Sequence, residues 1–415
     1  MTIITAVGAE ASNLPNGSEI ATEFDPVAAR LEQRVAAVAK IAAANAAAVD
    51  RDSRFPAEAF AAAKAQGLLG IMVPRELGGE GASVGDVVDI CYRLGRACSS
   101  TGMIYAMHQV KVACVVRHGR ISEWQNQLLR RLAIEQLLFA SSTTEGQGGG
   151  NIRSSVAPIE YNASGITLER EASVISYGAQ ADAVVTTARR SADAPASDQV
   201  LAVFMKEDYT LETFLAWDTL GMRGTCSSGF MLRASGCAEQ MLPVPYDKIH
   251  AQTMVPCAHL MWASVWAGIA TAAVDNAQAC IRSSARKSGG ELPSGAAHFT
   301  KARAALNTLR GLIASALRRY EAIAHDEAAV ASLEFQSSIA LTKVEASEHA
   351  VAIVLAALRA TGLTGYRNDS QFTIGRYLRD ILSSPLMISN DRILSNVGAT
   401  SLMSAVPAGL RQHEA

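Results

Sequence analysis

The sequence predicts an α+β protein in which a helical domain, a small antiparallel β domain and a helical bundle follow one another. Two observations carry this. Apolar residues recur at three- and four-residue spacing as far as residue 138 and again past Pro256, while the stretch between breaks into short β-branched runs divided by turn residues. Helices and strands are therefore segregated and do not alternate as βαβ units, which disfavours a nicotinamide-binding parallel sheet. The expected divisions are a tail over 1–24, a helical domain over 25–138, a β domain over 139–250 and a bundle over 251–415.

Each element has its own signal. The tail carries Glu10, Glu19 and Glu23 and no basic start, so it does not read as a secretory signal. Asp25 and Pro26 suit an N-cap and first turn, and Val27, Leu31, Val35, Val38 and Ala42 follow on one face of an Ala-rich helix. A second helix opens at Pro56 and stops at Gly67, and more are expected over Val84–Arg96, Met103–Arg117 and Ile121–Ala133. Strands are expected at Ile166–Leu168, Val174–Ser176, Ala183–Thr187 and Leu201–Met205, with Ser191–Asp198 as an exposed hairpin loop. The apolar run Met254–Val274 is broken by Pro256, Ser264 and Thr271 and reads as a buried core helix, not a membrane span. Ala302, Leu306, Leu309, Ile313, Leu317 and Tyr320 mark one face of a long helix. Val351–Ala360 is apolar nearly all round, as a helix buried in a bundle or between subunits would be.

Composition narrows the function. Hydrophobic residues make up 49% of the 415 and charged residues 18%, so much of the chain must be buried, within the subunit or against another copy. A net charge of -2, with Lys and Arg dispersed, offers no footprint for nucleic acid or an anionic membrane. Seven cysteines without a CxxC pair suit reduced thiols and a cytoplasmic location. No His, Cys or carboxylate group has metal-ligand spacing, and no GxSxG suggests a hydrolase.

Five segments, read in order from about residue 55 to residue 400, resemble the acyl-CoA dehydrogenase family. The first is Phe55-Pro56 with Gly67-Leu-Leu-Gly-Ile-Met-Val-Pro-Arg-Glu-Leu-Gly-Gly-Glu-Gly81, similar to the family's helix-to-loop entry. The second, Phe139-Ala-Ser-Ser-Thr-Thr-Glu-Gly-Gln-Gly-Gly-Gly-Asn151, is similar to the family's flavin-cradling strand and loop and implies cofactor contacts from Ser142 and Thr144. The third, Val174-Ile-Ser-Tyr-Gly-Ala-Gln-Ala-Asp182, places Ser176 where the family has a flavin-contacting Thr, and Val174 in place of the Trp that covers the flavin. The fourth, Asp218-Thr-Leu-Gly-Met-Arg-Gly-Thr-Cys-Ser-Ser228, resembles the turn beside the acyl-thioester pocket. In the fifth, Arg286 resembles the Arg that binds the FAD diphosphate across a subunit interface, and a guanidinium fork suits that anion. Gly362 and Gly365, followed by Arg379-Asp380, resemble the glycine turn that approaches a neighbour's dinucleotide.

The resemblance implies the acyl-CoA dehydrogenase fold, FAD as cofactor with FMN as the alternative, a homodimer or homotetramer, and oxidation of an acyl-CoA or carrier-bound thioester at its α,β carbons. One residue is missing. Counting from Arg379-Asp380, the family's catalytic Glu falls on Ile388, with Ser389, Asn390 and Asp391 after it, and the alternative base position falls on Met261. The substitutes within the family's pocket are His108 and Asp391, while Asn390 is expected beside the cofactor. The alternative implied function is a flavin-dependent monooxygenase of the same fold, acting on a small or aromatic substrate, which needs no α-proton base. A third is a degenerate acyl-CoA-binding or scaffold protein without flavin.

Overall fold

Among the described residues five helices come first: α1 (Pro26–Arg51), α2 (Ala57–Ala65), α3 (Val84–Ala97), α4 (Ser99–His118) and α5 (Glu123–Glu135). The computed structural model describes residues 26–145, 152–163 and 165–403, so the tail and residues 146–151 of the glycine-rich loop lie outside the described residues. Two of the helix starts are written locally. Ser83 and Ser122 each accept from the backbone N–H three residues on, and Asp86 and Gln125 reach back to the cap amides, so α3 and α5 open on reciprocal capping boxes. α4 is buried on almost every side, although Ser99, Thr101, His108, Gln109 and Lys111 lie among its buried residues.

Among the described residues seven strands follow: β1 (Phe139–Ser142), β2 (Glu160–Asn162), β3 (Gly165–Ala172), β4 (Ala183–Arg189), β5 (Gln199–Met205), β6 (Tyr209–Leu215) and β7 (Gly229–Gly236). They form two sheets, ordered β1-β4-β5 and β2-β3-β7-β6. β4 and β5 make the expected antiparallel hairpin, whereas β1 runs parallel to β4 with Phe139 opposite Ala183. The excursion through β2 and β3 supplies the long connection that parallel pairing needs. Val174–Ser176 is not a strand, contrary to its β-branched composition. After Ala172 the chain leaves the sheet, and Ile175 N–H donates to Ser228 O and Tyr177 N–H to Thr225 O. Loop-to-loop pairing has overridden the local preference.

The chain then turns helical through α6 (Tyr246–Ile249), a π-helical turn at His250–Met254, and α7 (Val255–Lys287). α8 (Ala296–Ile323), α9 (Glu327–Ala331), α10 (Leu333–Thr361), α11 (Leu363–Tyr366), α12 (Gly375–Ile381) and α13 (Asn390–Met403) complete the bundle. α7 belongs to a helical stretch long and apolar enough to cross a membrane, but its most apolar window is wholly buried inside the fold. Glycines let α3, α4 and α7 meet backbone to backbone: a Cβ on Gly268 would stand 2.3 Å from Tyr92 O, and one on Gly95 2.6 Å from Val265 O. Even alanine there would force the helices apart. α8 buries Ala302, Leu306, Leu309, Ile313 and Tyr320, as its pattern predicts. α10 buries Ile353, Val354 and Ala357 but leaves Leu355 43% exposed, so this helix is enclosed on one side only within the subunit. One contiguous apolar core runs through all three regions and sets β1 against α4.

Candidate active site

β1 is held by α4 through backbone capture. His108 lies within the buried length of α4; its imidazole Nε2 donates to Leu69 O at 2.9 Å and its Nδ1 accepts from Phe139 N at 3.0 Å. Burial pushes its pKa down to about 4, so the ring is neutral with one nitrogen left to accept that amide. Tyr177 Oη donates to Phe139 O at 2.9 Å, and Gln109 and Tyr105 hold Leu68 O. His108 is therefore not available as a base, contrary to expectation: both ring nitrogens are committed to backbone, and the side chain is fully buried. It is an anchor for β1.

What β1 presents at its far end is a set of hydroxyls. Ser142 Oγ is buried with no hydrogen-bond partner among the described residues. Ser173 Oγ donates to Thr144 Oγ1 at 3.4 Å, and Glu145 pairs with Ala172, so the Ser142–Thr144 segment lies beside the loop that carries Ser176. Ser176 continues into a line of hydroxyls, with Ser227 Oγ at 2.8 Å and Thr225 Oγ1 a further 2.7 Å on. Three of the residues singled out from the sequence, Ser142, Thr144 and Ser176, are thus brought to one place.

Backbone strain marks the same place. Among the described residues six non-glycine residues have positive φ, and four of them, Ser53, Tyr177, Met222 and Cys226, are linked to one another directly or through Arg223 and Thr225. Arg223 Nε donates to Ser53 Oγ at 2.9 Å, Cys226 Sγ lies 3.7 Å from Ser53 O, and Tyr177 N–H donates to Thr225 O. Such conformations persist only where their surroundings hold them, and they gather at sites. The bundle supplies that support, because Met222 N–H donates to the carboxylate of Asp380 at 2.7 Å and Arg379 forms an ion pair with Asp50. Burial raises the Asp380 pKa against the opposing pull of the Met222 amide and the Ser99 hydroxyl.

The remaining expected residues lie elsewhere. Arg286 is exposed on the last turn of α7, and Gly362, with φ +57° and open space where a Cβ would stand, ends α10. α7 and α10 pack against α8 in the same sense, and Gly295 after α7 abuts Ala360, so Arg286 and Gly362 share one end of the bundle. Gly365 has a packing reason of its own, since a Cβ there would stand 1.8 Å from Thr361 Oγ1. Asn390 is not free for a cofactor: its Oδ1 accepts from Lys343 Nζ at 2.7 Å, and its Nδ2 donates to Ser347 Oγ and to Glu348 Oε1. Asp391 is exposed on the first turn of α13, and no hydrogen bond ties it to Ser142, Thr144 or Ser176. Ile388 keeps its carbonyl on Lys343 Nζ at 2.8 Å, and Met261 is fully buried.

Family models match in two places: residues 28–135 match the acyl-CoA dehydrogenase N-terminal domain, and residues 260–383 its C-terminal domain. A 3-sulfinopropanoyl-CoA desulfinase of Paraburkholderia xenovorans is 32% identical, over 26% of this chain and 27% of its own. Probable acyl-CoA dehydrogenases of Bacillus subtilis and Mycobacterium leprae are likewise matched over less than two thirds of their lengths, 49% and 28%. The probable FMNH2-dependent monooxygenase SfnC of Pseudomonas putida is 24% identical and is matched along 87% of this chain and 92% of its own. Among solved structures, FMN-bound TdsC from Paenibacillus sp. A11-2 superposes with a TM-score of 0.77 at 19% identity, over 91% of this chain and 98% of its own.

Proposed function

Given that this chain belongs to the acyl-CoA dehydrogenase family, we propose that it is a flavin-dependent monooxygenase and not a thioester dehydrogenase. The carrying observation is the state of the base. Ile388 stands at the expected position, Met261 at the alternative one, His108 has both nitrogens committed, and Asp391 is exposed. Removing an α proton without a positioned base would forfeit about a hundred- to ten-thousandfold in rate. The end-to-end similarity to a probable FMNH2-dependent monooxygenase is compatible with this reading, but probable acyl-CoA dehydrogenases match over the same length, so the base carries the argument.

The residues fit a flavin. Ser142 Oγ, buried and unpaired, would find a partner in the ring system, with Thr144 and Ser176 beside it. A bound reduced flavin supplies the electrons for activating dioxygen. Val174, 37% exposed, leaves that face more open than a Trp would. Arg286 and Gly362, exposed at one end of the bundle, serve the cofactor of a neighbouring subunit, and Leu355, Leu363 and Tyr366 are exposed apolar side chains for that contact. A homodimer or homotetramer follows.

The purified protein is expected to carry or take up flavin and, with reduced flavin supplied, to consume oxygen in a substrate-dependent manner. Anaerobic bleaching of its flavin by an acyl-CoA would overturn this in favour of a dehydrogenase. A protein that takes up no flavin would overturn both.

A further inference from the structure

A second group of polar side chains lies one turn along α4 from His108, where the hydroxyl site and its anchors have no use for it. Lys111 is 3% exposed, yet among the described residues its ammonium has no carboxylate partner; its bond is to Met254 Sδ at 3.5 Å. Tyr246 Oη, equally buried, donates to the same sulfur at 3.3 Å. His250 stands edge-on to Tyr246, with ring centroids 5.7 Å apart, and its Nε2 is buried with no partner among the described residues. Tyr246, His250 and Met254 follow at four-residue intervals through the π-helical turn, an irregularity that recurs at functional sites.

A thioether is a weak acceptor, so an ammonium and a phenol aimed at one sulfur are strong donors short of an adequate acceptor. The nearest charged neighbours are cationic: Arg170 bears on Lys111, and Arg153 on His250. Glu145, the carboxylate paired with Arg170 at 3.1 Å, already accepts from Ser155 and from the Val156 and Ala157 amides. Met254 is unbranched and flexible, and can swing aside where a β-branched residue would not.

We propose that Lys111, Tyr246 and His250 bind the oxyanion of a small substrate, a carboxylate, sulfinate, sulfonate or phosphate group, with Met254 as the side chain it displaces. This rests on the reading above and names its substrate class. The group adjoins the oxidation site, because α4 carries both Lys111 and the anchor of β1, and the Arg170–Glu145 pair sits where β1 runs out. Burial pulls the Lys111 pKa down to about 8, so the ammonium survives at neutral pH.

The test is isothermal titration of the protein as purified, at constant ionic strength, with acetate, methanesulfinate, methanesulfonate and inorganic phosphate, and with acetamide as the uncharged control. At least one anion is expected to saturate at or below about a millimolar while acetamide does not. Lys111→Met should weaken that anion at least about tenfold, the loss typical of a charge-assisted bond, and Lys40→Met, on the exposed face of α1, should not. Should Lys111→Met not fold, Tyr246→Phe removes only the hydroxyl and should still weaken binding about threefold or more. The proposal fails if no anion binds, or if folded Lys111→Met binds as tightly as the parent. Flavin absorbance read on the same samples separates the two claims: flavin without anion binding sinks this inference alone, and anion binding without flavin sinks only the oxidation reading.

Discussion

Two lysines of this fold are buried alike and kept in opposite company. Lys343, on α10, gives its ammonium to Ser384 O, Ile388 O and Asn390 Oδ1 at 3.1, 2.8 and 2.7 Å, and lies 5.4 Å from the Trp266 ring. Lys111, on α4, has a sulfur. Burial pulls both pKa values down to about 8, so desolvation alone does not tell them apart. Their acceptors do. A charge met by three oxygens and an aromatic face ties α10 to the segment before α13, whereas a charge met by a thioether leaves its binding capacity unspent.

The largest expected effect extends the contrast to the histidines. Burial lowers the pKa of His108, His118 and His259 to about 4 and of His250 to about 3, so the folded protein keeps all four neutral. An unfolded histidine takes up a proton near pH 6.5 and the folded one does not. The unfolded state therefore binds more protons below 6.5, and stability is lost as pH falls from there towards 4, by up to about 1.4 kcal/mol per pH unit for each histidine. Urea unfolding between pH 7 and 4.5 should show this, and His250→Phe should flatten the slope by about a quarter. An unchanged slope would mean that His250 already holds a proton in the fold, contrary to its placement among cations.

Next in size is the direct comparison. Lys343→Met should cost roughly 3 kcal/mol, because it strands buried oxygens, while Lys111→Met should be neutral or stabilising, since it removes an uncompensated charge. Raising the pH should act in the same direction for both parents: an unfolded lysine stays protonated to about 10.5 and the folded ones release near 8, so stability rises between those values. Each substitution should remove its share of that rise. Equal destabilisation by the two methionine substitutions would break the comparison.

The contrast also marks what the sequence made legible. Helix faces such as Ala302 to Tyr320 were readable because burial repeats with the helical period, while Ser142, Thr144 and Ser176 stood out as cofactor candidates because their neighbours form a recognisable pattern. Partner identity was not readable. His108 stands out as a histidine inside an apolar helix, but nothing local says that Leu69 O and Phe139 N will take both its nitrogens. Asn390 was placed by counting from Asp380, and turned instead towards Lys343, a residue 47 positions away. Val110-Lys111-Val112 was in plain view as a charge inside an apolar helix, and only the fold shows that it faces Met254. Val174–Ser176 misled because loop 225–228 decides its conformation.

The smallest expected effect lies at β1, where a single hydroxyl repeats the contrast of the lysines. Ser142 Oγ is buried and unpaired among the described residues, while Ser227 Oγ stands in line between Ser176 and Thr225. Ser227→Ala should therefore cost about 1 kcal/mol of stability, and Ser142→Ala none or slightly less than none, because the hydroxyl it removes has no partner among the described residues. Flavin affinity should reverse the order. A hydrogen bond from Ser142 to the ring, worth about 0.5–1.5 kcal/mol, corresponds to roughly two- to tenfold in dissociation constant, and its loss is readable by fluorescence titration. Should Ser142→Ala bind flavin as the parent does and yet unfold more easily, the hydroxyl belongs to the fold after all, and the ring must be held by Thr144 and Ser176 without it.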